Sequence, residues 1–154
     1  MKFIVDTMLG KLGRWMLFLG YDVLYYRGQS DEGLIQKAKA EGRIIITRDT
    51  RLALEREPRN SFLIKTIHFW EQLRRITEAF PQNFTETLFS RCSHCGALLE
   101  AVKKEEILTQ IPEKVREMAT DFSRCPSCLH LYWNGTHTLR IIQLLKEKAG
   151  IQLT

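Results

Sequence analysis

Four cysteines in two tight pairs, Cys92-Ser-His-Cys95 and Cys125-Pro-Ser-Cys128, carry the plainest chemistry in the chain. A C-x2-C step makes a turn that brings two thiolates onto one tetrahedral ion, at about 2.3 Å for zinc. Two residues between cysteines suit one metal ion better than a disulfide. Two such knuckles complete four-coordination and leave no open position for water or substrate, so the zinc expected here is structural. The 29 residues between Cys95 and Cys125 exceed the usual spacing of about 15 to 20, which predicts a segment inserted into a small zinc ribbon. Gly96 supplies the freedom a knuckle turn uses, whereas Leu129 stands where a second glycine is expected, predicting a second turn of different shape. With four thiolates available, His94, His130 and His137 read as surface or packing residues.

A second constellation is acidic. Asp6, Asp31 and Asp49 each fall where an apolar run gives way to a helical pattern. One aspartate there is ordinarily an N-cap accepting from free backbone amides. Three of them, at the carboxyl ends of strands in a parallel sheet, would share the edge where ligand crevices form. Carboxylates that converge repel unless a divalent cation neutralises them, and hard oxygen donors suit Mg²⁺ or Mn²⁺. Such an ion could position water for attack on a phosphodiester, with hydrolysis of RNA the natural reaction. Lys11, Arg14, Arg48 and Arg51 lie close in sequence to Asp6 or Asp49 and could hold a nucleic-acid backbone. The Tyr25-Tyr26 pair could stack bases, while Trp15 falls on an apolar stripe and reads as core.

The elements that must position these groups alternate. Lys2 to Asp6, Asp22 to Tyr26, Arg43 to Thr47 and, after Pro58, Ser61 to Lys65 read as strands. Between them, helical spacing runs from Met8 to Leu19, from Ser30 to Gly42 and onward from Asp49, with a fourth amphipathic helix from Phe69 to Phe80. This rhythm predicts an α/β fold with a doubly wound parallel sheet. Gln82 to Ser90 lacks periodicity, so the expected division is 1–88 for the α/β domain and 89–154 for the ribbon. A helix is predicted from Glu113 to Phe122 in the insert, and another through Leu139, Ile142, Leu145 and Ala149 that could pack back on the first domain.

The net charge of +5 is concentrated early: residues 1–91 hold 15 Lys and Arg against 11 Asp and Glu, and 92–154 hold 8 against 7. That bias fits a phosphate-rich partner. No apolar run reaches the roughly 18 residues a membrane helix needs, and the first residues lack a basic region followed by a cleavable apolar stretch, so a cytoplasmic protein is expected.

The ordered string Asp6-Thr-Met-Leu-Gly-Lys-Leu-Gly-Arg-Trp15, Leu19-Gly-Tyr-Asp-Val23, Thr47-Arg-Asp49, the paired knuckles and Tyr132-Trp-Asn-Gly-Thr-His137 resembles the Mut-seven C-terminal RNase domain family. The resemblance covers Lys2 to about His137. It implies a PIN-like three-layer α/β/α nuclease domain with a mainly parallel sheet, a C-terminal zinc ribbon, and metal-dependent RNA cleavage through Asp6, Asp31 and Asp49. PIN nucleases commonly supply a fourth acid soon after the third, but Thr50-Arg51-Leu52-Ala53 follows Asp49 here, and Glu32 is the nearest substitute. The runner-up expectation is a zinc-ribbon RNA-binding or ribosome-associated module without turnover, and a third is a phosphatase acting on a small substrate in a closed pocket.

Overall fold

The computed structural model describes residues 1–28, 30–56 and 59–153; Pro58, expected to break the chain before the fourth strand, lies outside them. Strands β1 (Lys2–Val5), β2 (Asp22–Tyr25), β3 (Ile44–Thr47) and β4 (Ser61–Leu63) pair in parallel in the order β2-β1-β3-β4. Side chains alternate across the sheet. Phe3, Val5 and Ile46 enter one core with Leu12, Met16 and Leu17 of helix α1 (Gly10–Phe18) and with Leu73 and Ile76 of a later helix. Ile4 and Ile45 face the other way, against Leu34 and Ala38 of α2 (Asp31–Glu41). Helices on both faces make the three-layer α/β/α arrangement that the apolar β1 and β3 require. Helix α3 (Phe69–Ala79) supplies Leu73 and Ile76 on the α1 side.

Two expected helices differ. The one from Asp49 is a π-helical turn, Leu52–Arg56, that buries Leu52 and Ala53 but leaves Leu54 exposed. The chain is helical from Thr50 onward, as expected, and packs through Leu52 and Ala53. The insert helix stops at Met118, because Phe122 opens a strand and is buried with Ile107, Ile111 and Ala119 in the insert's own core.

After a short helix α4 (Phe84–Thr87), strands β5 (Glu100–Ala101), β6 (Phe122–Arg124) and β7 (Leu131–Trp133) form an antiparallel three-stranded sheet. Helix α5 (Glu113–Met118) lies in the insert between β5 and β6. The terminal helix α6 (Thr136–Ala149) packs back as expected, placing Ile141, Leu145 and Ala149 in the core around Phe3 and Val5. No helix among the described residues is long and apolar enough to cross a membrane.

The ribbon is clamped to edge strand β2. Asp22 accepts from Arg43 at 2.7 Å and pairs with Arg91 at 3.5 Å. Arg91 also donates to the carbonyls of Gly20 at 3.1 Å and Gly96 at 2.9 Å. Gly96 has φ +79°, and a Cβ there would lie 2.8 Å from the Val23 carbonyl oxygen, so only glycine lets the knuckle press onto the strand.

Candidate active site and metal centre

The chain leaves β1 toward β2 and leaves β3 toward β4, so the sheet's switch point lies between the carboxyl ends of β1 and β3. Asp6 and Asp49 stand there. Val5 is level with Ile46, which puts Asp6 beside Thr47. The Thr47 hydroxyl donates to Asp6 Oδ2 at 2.8 Å, and Thr47 Oγ1 itself accepts the Asp49 amide at 3.0 Å. Asp6 Oδ1 caps the Met8 amide at 2.8 Å, and Asp49 Oδ1 caps that of Leu52 at 3.0 Å. Both aspartates are therefore caps as well as neighbours. Thr47 went unremarked in sequence, although a polar residue closing an otherwise apolar strand, two before Asp49, marks it; it is 0% exposed.

Asp31 is placed differently. Ser30 caps α2 by accepting from the Gly33 amide at 3.2 Å, which leaves Asp31 in the first turn. Arg56 at the end of the π turn reaches back, donating to Asp31 Oδ2 at 2.8 Å and forking onto Glu32. Glu32 is held below the usual carboxylate range by its own backbone amide first and by Arg56 next. The oxygens of Asp6, Asp31 and Asp49 do not gather within 4.8 Å of one another. Among the described residues, the four cysteines are the group that does.

Beside Asp6 opens a cleft of about 590 Å³ whose lining includes Lys11, Arg14, Tyr25, Arg27 and, from the ribbon, Ser93 and His94. Lys11 and Arg14 thus fall where the sequence put them, next to the first aspartate. Trp15 lines the same cleft while meeting Phe18, Phe69 and Trp70 edge-on, so it is half core and half wall. Gly13 admits Tyr25 against α1, since a Cβ there would come within 2.8 Å of its ring. Arg48 and Arg51 are not part of this lining, and Arg51 pairs with Glu55 at 3.6 Å. Arg27 was missed in sequence; its position two residues past the end of β2, at the sheet's carboxyl edge, is the signal that finds it.

The thiols form a compact set. Cys92 and Cys128 lie 3.4 Å apart, Cys95 and Cys125 3.3 Å, and Cys95 and Cys128 3.7 Å. Thiolates around one zinc at about 2.3 Å stand roughly 3.8 Å apart by tetrahedral geometry, so the donor set fits a metal ion. Burial pushes the Cys92 thiol up, but the Tyr132 hydroxyl at 3.1 Å and the amides of Cys95 and His94 outweigh it, leaving Cys92 at about 6. Cys95 is pushed up to about 12, by burial first and then by hydrogen bonds with its sulfur neighbours. Thiolates this close repel one another, and a bound cation would relieve that repulsion.

Leu129 corrects an expectation. It has φ +63°, close to Gly96, and the two knuckles make equivalent turns: Gly96 N to Cys92 O at 2.9 Å and Leu129 N to Cys125 O at 3.0 Å. Convergence on one centre imposes the same backbone on both, whatever the side chain.

No curated protein and no solved structure matches the chain. The family model described as the Mut7-C RNAse domain matches residues 1–145, nearly the whole chain, in keeping with a four-stranded parallel sheet that carries two aspartates at its switch point and a four-cysteine ribbon. The chain belongs to the Mut7-C RNAse domain family.

Proposed function

We propose that this chain is a divalent-metal-dependent ribonuclease, with Asp6, Asp31 and Asp49 holding Mg²⁺ or Mn²⁺ and the four cysteines holding a structural zinc. The observation that carries this reading is the Thr47 hydroxyl, which fixes Asp6 and the start of the Asp49 turn as one unit at the switch point. Hard carboxylate oxygens at such an edge are the donors these ions take. The bound ion would neutralise charge on the scissile phosphate and acidify an attacking water. Lys11, Arg14 and Arg27 hold the strand's phosphates beside Asp6. For Asp31 to join the other two acids, its carboxylate would have to leave Arg56. Thiolate ligands that must stay reduced suit a cytoplasmic setting.

A second reading, an RNA-binding module without turnover, draws on Arg56 engaging Asp31 and on the absence of an acid from Thr50 to Ala53. The open cleft favours a strand over the small substrate of a phosphatase. The deciding experiment follows labelled single-stranded RNA with Mn²⁺, comparing the natural protein with Asp49→Asn. The nuclease reading expects Mn²⁺-dependent products that vanish in the variant while RNA affinity persists or rises. Binding without products, or residual cleavage that the variant leaves unchanged, would establish the module instead.

A further inference from the structure

Resting on the RNA reading above, we infer that the zinc ribbon forms part of the substrate site: His94, backed by His130, is a stacking platform for an unpaired base of single-stranded RNA, in the cleft that Asp6 also lines. The two imidazoles stack with centroids 3.9 Å apart and planes 21° from parallel. Both are exposed, and His94 lines the cleft together with Ser93. A flat ring supported from behind presents a π-face that any base can cover, which is how single strands are held without sequence preference.

The other walls fit the same ligand. Tyr25, set against α1 through Gly13, adds a second ring to the cleft, and Arg14 and Arg27 flank it. Neither arginine makes an ion pair among the described residues, so both guanidinium groups are available to phosphates. Asp6 is the one carboxylate among the residues that line the cleft. A strand in this cleft would have a carboxylate, cations, a tyrosine and His94 within one lining.

The geometry is rigid where recognition needs it to be. His94 lies inside the first knuckle, its amide donating to Cys92 Sγ at 3.4 Å. That knuckle is seated on β2 by Gly96 against the Val23 carbonyl and by Arg91 on Asp22. Strand β2 also ends in Tyr25, so the platform and the tyrosine share one frame. The four-cysteine centre then does more than staple the ribbon: it sets where a base can rest. A duplex has no splayed base to offer such a ring, so the preference is for single strands.

The test titrates labelled single-stranded RNA into zinc-loaded protein without Mn²⁺, so that cleavage plays no part, with zinc content measured for every variant. His94→Ala should weaken binding about five-fold or more, the loss expected of one base stack. His94→Phe should restore it and His94→Gln should not, while affinity for a duplex of the same sequence changes less than about two-fold. Equal affinity for His, Phe and Gln at this position, with zinc retained, overturns the platform. Should Arg14→Ala lose affinity while the His94 variants do not, the cleft binds RNA without the ribbon, and the nuclease reading survives alone. Failure of the natural protein to bind single-stranded RNA removes both.

Discussion

Thr47 Oγ1 sits 2.8 Å from Asp6 Oδ2 across the β1–β3 seam, fully buried, while accepting the amide of Asp49. Replacing it by valine keeps the shape, leaves that amide without its partner and frees Asp6 to turn. Thr47→Val should cost about 1–3 kcal/mol of stability, read by denaturant unfolding. It should also lower Mn²⁺-dependent cleavage more than RNA binding. Equal loss of both would make Thr47 a core residue only.

On the nuclease reading, Arg56 competes with the metal ion for Asp31. A guanidinium bound to a carboxylate occupies oxygens that a divalent cation would use. Arg56→Ala should therefore lower the Mn²⁺ concentration needed for half-maximal cleavage, with little change in the zinc centre. A higher requirement in the variant would show instead that Arg56 props Asp31 in its working position.

Leu129 is held in the left-handed region while 68% exposed, so its side chain gains little contact in return. A non-glycine residue there costs roughly 1–2 kcal/mol, partly offset by glycine's greater freedom when unfolded. Leu129→Gly should raise the thermal midpoint and slow zinc loss to a chelator. A lower midpoint would mean that Leu129 makes a contact worth more than its strain.

Tyr25 contributes to stability at alkaline pH. Burial pushes its phenol up to about 12, against the charges of Arg14 and Arg27, which lower it. A proton held more tightly in the folded chain than in the unfolded one, where the phenol titrates near 10, contributes stability in full below about pH 10. That contribution is lost as pH rises through about 12. Tyr25→Phe should flatten the fall of the denaturation midpoint across that interval, and phenolate absorbance should show one fewer late-titrating group.

The parallel sheet was legible because β1 and β3 are apolar on both faces and the helices between them are punctuated by Ser30 and Gly42. Cysteine spacing was equally plain, since two-residue steps admit few geometries. Strand ends put Asp6 and Asp49 on one edge of the sheet, and Asp31 was expected there with them. What sequence hid were partners set by distant packing: Arg56 crosses from the π turn to Asp31, 25 positions away. Arg27 and His94 meet in one cleft only because the ribbon sits on β2. Phe122 reads as helical by spacing, yet the small core of the insert outbids that local preference.

Helix α6 fills the space beside α3 with Ile141, Leu145 and Ala149. During synthesis the α/β sheet emerges well before the residues that close its core. The nascent sheet must therefore wait with an apolar furrow uncovered while the ribbon residues are made. An expression fragment cut at residue 88 would keep that furrow permanently open and should self-associate, so the smallest well-behaved unit is longer than the parallel sheet and its helices.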